Sequence, residues 1–106
     1  MAAYGNITAE ELKDRLDEVM LVDVSSPAET DRGIIEGAIL IPLHLVPLSV
    51  DRFRGDKDVV IYCLSGARSA QACRYLAGQG LDRLFNLQGG IMHWVGSGLP
   101  LVVPES

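Results

Sequence analysis

Short apolar runs alternate with polar, helix-patterned stretches along the whole of this chain. Thr8-Ala9-Glu10-Glu11 has the form of a capping box, and Leu12, Leu16 and Val19 follow at helical spacing, so a helix is expected near 8–18. Met20-Leu21-Val22-Asp23-Val24 reads as a buried parallel strand carrying one acid near its end. Residues 25–37 are polar and contain Pro27, which predicts a loop with one helical turn at 27–31. Ala38-Ile39-Leu40-Ile41 is a second short strand, stopped by Pro42, and 43–53 reads as a short or broken helix around Pro47. Asp56-Lys57-Asp58 turns the chain into the strand Val59-Val60-Ile61-Tyr62. The strongest helix pattern covers 69–79, with Ala72, Cys73 and Leu76 on its apolar face. Leu84-Phe85-Asn86-Leu87 is a further strand, Gly89-Gly90 opens a helix through Trp94, and Gly98-Leu99-Pro100 closes it. Strands alternating with helices predict an α/β fold with a mostly parallel central sheet and helices on both faces.

Composition narrows the reading. A chain of 106 residues with 48% hydrophobic residues suits one domain over 1–106, with a core at about 5–102 and loose ends at 1–4 and 103–106. A net charge of −5 lacks the basic stripe that nucleic-acid binding requires. The start of the chain has no basic region followed by a long apolar stretch, and no apolar run approaches the ~20 residues of a membrane span. The expected setting is cytoplasmic and reducing. Cys63 and Cys73 are too few for a disulfide framework, and with His44 and His93 they match no zinc spacing, so neither metal nor cofactor is expected.

The candidate chemistry begins at Cys63, which ends the buried strand and opens the loop Cys63-Leu64-Ser65-Gly66-Ala67-Arg68-Ser69. Backbone N–H groups of such a loop converge at a helix N-terminus, where they stabilise a thiolate or an anion carried on the sulfur. An ordinary thiol is only a few per cent ionised at neutral pH, and bringing it to half ionisation takes about 2 kcal/mol. A helix N-terminus supplies about 0.3–1 kcal/mol, so the loop amides and the Arg68 guanidinium are expected to supply the rest. Gly66 permits a backbone geometry closed to other residues, and Ser65 and Ser69 offer hydroxyls to the sulfur or to the helix start. Cys73 lies on the apolar stripe and is expected to pack in the core. Trp94 reads as a core anchor and Asp23 as a structural hydrogen-bonding group. His44 and His93 have no sequence neighbours that suggest catalysis.

These residues resemble the rhodanese (sulfurtransferase) domain family in its single-domain form. The loop from Cys63 to Ser69 is similar to the family's C-x-x-G-x-R-S active-site loop. Leu21-Val22-Asp23-Val24, with Gly33 to Leu43, resembles its first conserved region, and Leu87-Gln88-Gly89-Gly90, Trp94 and Gly98-Leu99-Pro100 its C-terminal signature. The resemblance implies a rhodanese-like fold and an enzyme that moves sulfane sulfur through a Cys63 persulfide. Its donor would be a small anion or sulfane carrier (thiosulfate, persulfide or polysulfide). Its acceptor would be a thiol, cyanide or a protein. Cys63 would be the nucleophile, and Leu64, Ser65, Gly66, Ala67, Arg68 and Ser69 would hold the substrate. A relay or binding module without turnover is the alternative. Ser25, Ile34 and Leu64 depart from the family's usual Arg, His and Arg, and Leu64 withholds a cation that would help to hold thiosulfate. Four residues separate Cys63 from Arg68, one fewer than in related phosphatases. That shorter ring suits a single sulfur atom better than a tetrahedral phosphate.

Overall fold

The structure is a computed structural model that describes residues 3–104. In chain order its elements are β1 (Gly5–Ile7), α1 (Ala9–Leu12), β2 (Met20–Asp23), α2 (Pro27–Thr30) and β3 (Ile39–Leu40). Two 3-10 helices follow, Leu43–Leu48 and Val50–Phe53, then β4 (Val59–Tyr62), α3 (Ala67–Gly78), β5 (Leu84–Leu87) and α4 (Gly90–Gly96). The five strands form one sheet in the order β1-β5-β4-β2-β3, and every pairing is parallel. β4 therefore lies at the centre, with β2 and β5 on its flanks.

The sheet divides the core into two layers. On one side Val22, Val59, Ile61 and Cys63 pack with Ala72, Cys73 and Leu76 of α3. On the other side Leu21, Val60 and Tyr62 pack with Leu12, Leu87 and Trp94. Alternate strand residues point to opposite faces, so the parity of β4 directs Cys63 toward α3. Cys73 and Trp94 occupy the core positions expected of them.

Several expectations change in detail. The first helix ends at Leu12, not near 18. Beyond it, the Arg15 and Glu18 amides bond three residues back instead of four, which tightens the chain into turns. The Thr8–Glu11 capping box is formed as read. β1 was not anticipated, because three residues are too few to show a period. The strand expected at 38–41 shortens to Ile39–Leu40, and α3 begins two residues before 69. Of the expected loose ends, 1, 2, 105 and 106 lie outside the described residues. Tyr4 packs against the core, and Val102 pairs with Ile34 in an isolated bridge.

Candidate active site

The carboxyl ends of parallel strands are where loops of an α/β sheet can converge, and the central strand delivers Cys63 there. After Cys63 the backbone turns through Gly66, whose φ of 105° lies in the left-handed region and which caps α3. A Cβ at Gly66 would meet nothing closer than 3.7 Å, so glycine is required for its backbone angle and not for space. This turn aims the Gly66 N–H at Cys63 Sγ, 3.1 Å away. Ser69 Oγ lies 3.5 Å from the same sulfur and 2.5 Å from Asn86 Oδ1, to which it donates. Asn86 Nδ2 in turn donates to the Gly66 carbonyl at 3.2 Å, which ties β5 to the start of α3.

These contacts set the ionisation of the two cysteines. At Cys63, burial is the largest single influence and pushes the thiol pKa up. The Ser69 hydroxyl, with the amides of Ser69, Gly66 and Ser65, outweighs it, so the net shift is downward. Cys73 is buried among apolar neighbours, and its thiol is pushed up to about 12. The same residue type is thus activated in one place and silenced in the other, 10 positions along the chain.

Arg68 was expected to orient the loop or to face the sulfur. Its guanidinium grips Glu29 with both terminal nitrogens, at 2.6 and 2.8 Å. Glu29 also takes the Ser26 N–H at 2.9 Å, closing the capping box of α2. The Arg68 hydrogen bonds, followed by that from Ser26, hold the Glu29 carboxyl down at about 2. Arg68 still acts on Cys63 electrostatically through space. Asp23 accepts the Ser25 N–H at 2.8 Å, and the Tyr62 hydroxyl accepts the Ile35 N–H at 3.0 Å, so both serve the framework under the loop.

α4 clamps the loop from the other side. The Ile91 and Met92 amides donate to the carbonyls of Cys63 and Leu64, at 2.9 and 3.1 Å. A Cβ on Gly90 would stand 2.5 Å from both carbonyl oxygens. Leu64, Ser65 and Ala67 are exposed on the loop, and Ser69 is fully buried under it.

A cleft of about 530 Å³ opens next to the loop, between α2, the 3-10 helix Leu43–Leu48 and α3. Arg68 and His44 lie on its wall. Cys63 is only 1% exposed and does not line it, but Val24, Val46 and Ala72 belong both to the cleft wall and to the buried cluster that holds Cys63. His93 makes no hydrogen bond to Cys63 among the described contacts, and its exposed side chain lies 3.9 Å from Glu10. Sequence reasoning missed Glu29 and Asn86. Each carried a signal: Ser26-Pro27-Ala28-Glu29 has the S-x-x-E form of a capping box, and Asn86 is a lone polar residue in an apolar strand.

The chain is similar in sequence and fold to known proteins. The model of the rhodanese-like domain matches residues 8–97. A protein of Allochromatium vinosum named sulfurtransferase is 50% identical over 104 residues, spanning 95% of this chain and 97% of its own length. The thiosulfate sulfurtransferase GlpE of Glaesserella parasuis is 28% identical over 85 residues, spanning 80% and 79%. The crystal structure of a rhodanese-related protein from Thermoplasma volcanium superposes with a TM-score of 0.89 at 31% identity, covering 95% of this chain and all of that one.

Proposed function

Because the chain belongs to the rhodanese-like domain family, we propose that this sulfurtransferase carries sulfane sulfur on Cys63 as a persulfide. In the first half-reaction the Cys63 thiolate attacks the outer sulfur of a donor. The donor's S–S bond breaks, and its electron pair leaves with the remainder, which is sulfite from thiosulfate or a thiolate from a persulfide. In the second half-reaction an acceptor thiolate or cyanide attacks the terminal sulfur of Cys63–S–S⁻. The Cys63 thiolate is the leaving group, so the cycle closes without a redox partner.

One observation carries this reading: the Gly66 N–H and the Ser69 hydroxyl converge on a buried sulfur whose pKa lies below that of a free thiol. The same donors can serve the anionic persulfide. The Arg68–Glu29 pair anchors the first turn of α3, and Arg68 adds positive potential from a distance. No general base is required when the nucleophile is already ionised.

The test is mass spectrometry of the intact protein after exposure to thiosulfate, glutathione persulfide and polysulfide. Cys63 gains the mass of one sulfur atom with at least one donor, and Cys63→Ser gains none. Failure to load with every donor overturns the proposal. Loading without turnover on cyanide or small thiols assigns the chain to sulfur relay toward a protein acceptor instead.

A further inference from the structure

Asn86 is the one polar residue of β5, and its buried carboxamide spans two parts of the sulfur cradle. Nδ2 donates to the Gly66 carbonyl at 3.2 Å, and Oδ1 meets Ser69 Oγ at 2.5 Å. A backbone carbonyl can only accept, so the first bond fixes which end of the amide faces Ser69. That end is an acceptor, and the Ser69 hydroxyl must supply the proton. Among the described residues Oδ1 has no other donor. The same hydroxyl lies 3.5 Å from Cys63 Sγ, and an ionised sulfur needs the same proton. Asn86 and the thiolate are therefore rivals for one hydrogen. Gly66 does not depend on Asn86 alone. Its carbonyl also accepts the Ala70 N–H at 3.1 Å, and the carbonyls of Cys63 and Leu64 are held by the Ile91 and Met92 amides. Loss of Nδ2 thus leaves the Gly66 N–H aimed at Sγ, whereas loss of Oδ1 frees the only proton that Ser69 has.

We propose that Asn86 is a positioning residue that restrains the ionisation of Cys63 by competing with its sulfur for the Ser69 proton. The inference rests on Cys63 as the ionised nucleophile of the proposed sulfur transfer. Cys63 attacks in the first half-reaction and leaves in the second. A more basic thiolate attacks faster and departs more slowly. Asn86 therefore sets the balance between the two half-reactions without touching donor or acceptor. Its action has the opposite sign to that of the other loop partners: the Gly66 N–H and the Ser69 hydroxyl favour the anion, and Asn86 opposes it.

The experiment is the pH profile of Cys63 alkylation in Asn86→Leu, a change that nearly keeps the shape of the side chain and removes its polar atoms. The midpoint moves to lower pH. Below it the thiolate fraction rises about tenfold, and the high-pH plateau falls about threefold because each thiolate is less basic. Discharge of the sulfur-loaded protein to cyanide becomes faster. In a Ser69→Ala background the same substitution moves neither midpoint nor plateau, which a merely structural role of Asn86 would not predict. A second readout needs no substitution at Asn86. The 13C resonance of its side-chain carbonyl follows the Cys63 titration in the unaltered protein and loses that titration in Ser69→Ala. A midpoint that stays or rises, slower discharge, an equal shift in both backgrounds, or a flat carbonyl resonance overturns the role of Asn86 and leaves the sulfur chemistry of Cys63 standing. Failure of Cys63 to load with any donor overturns the sulfur-carrier reading instead, and the alkylation and carbonyl measurements then decide the role of Asn86 by themselves.

Discussion

Ser69 is the residue whose removal most directly tests the sulfur site. A serine hydroxyl has one proton and cannot donate it twice. With Cys63 protonated, the Ser69 hydroxyl donates to Asn86 Oδ1 at 2.5 Å and is free to accept from the thiol at 3.5 Å. With Cys63 ionised, the same proton is wanted by the sulfur. Asn86 cannot turn to follow it, because its Nδ2 is held by the Gly66 carbonyl. Ser69→Ala therefore removes the largest influence that lowers the Cys63 pKa and leaves burial, which raises it, in place. A hydrogen bond to a charged group contributes about 1.5–3 kcal/mol, so thiolate reactivity at neutral pH should fall roughly ten- to a hundredfold. The assay is the pH dependence of iodoacetamide alkylation at Cys63, with the ultraviolet absorbance of the thiolate as a second readout. The sign also appears in stability. A thiol whose folded pKa is lowered adds stability that is fully present above the unfolded pKa and fades as pH falls through the folded one. That increment should shrink in Ser69→Ala. An unchanged alkylation profile would show that the hydroxyl does not support the anion, and the account of the site would fail there.

Further outcomes are expected. Glu29 has its pKa lowered to about 2, so the Arg68 pair adds stability that is present above the ordinary carboxylate range and lost as pH falls toward 2. Glu29→Gln should remove roughly 1 kcal/mol near neutral pH, after screening of a pair about one-third exposed, and should flatten the acid limb of denaturation midpoints measured between pH 5 and 2. Gly90→Ala places a Cβ 2.5 Å from two backbone oxygens at a φ of 60°, and should cost about 3 kcal/mol or more in urea denaturation. Gly37→Ala, at a φ of 89° but with open space around it, should cost only about 1 kcal/mol. Because burial pushes Cys73 up to about 12, native-state alkylation at neutral pH should label Cys63 alone, and Cys73→Ala should load sulfur as the parent does. Equal labelling of both cysteines is the contrary result.

Cys63 and its loop were legible because their signal is local. A run of four apolar residues, a cysteine, a glycine and a helix pattern lie within a continuous stretch, and β4 and β5 were placed to the residue. The partners of the loop were hidden because they arrive from far along the chain. Glu29 is 39 residues from Arg68, and Asn86 is 17 from Ser69, so only the packing of α2 and β5 around the central strand brings them together. The first helix was overread for a related reason. Leu12, Leu16 and Val19 keep helical spacing, yet Arg15 reaches Asp58, 43 residues away, at 2.9 Å, and that tertiary contact accompanies turns where local pattern suggests another helical turn. The cleft was invisible because its walls come from three separate segments, none of which is remarkable in composition.

Tyr62 and Ser69 are fastened by different means, one through the sheet and the Ile35 amide, the other through Asn86. The six intervening residues are held along their length as well, by the Ile91 and Met92 amides on the Cys63 and Leu64 carbonyls, by Asn86 on the Gly66 carbonyl and by Glu29 on Arg68. A change in the length of that segment would break contacts with α2, β5 and α4 together, so the width of the amide ring is a property of the whole molecule.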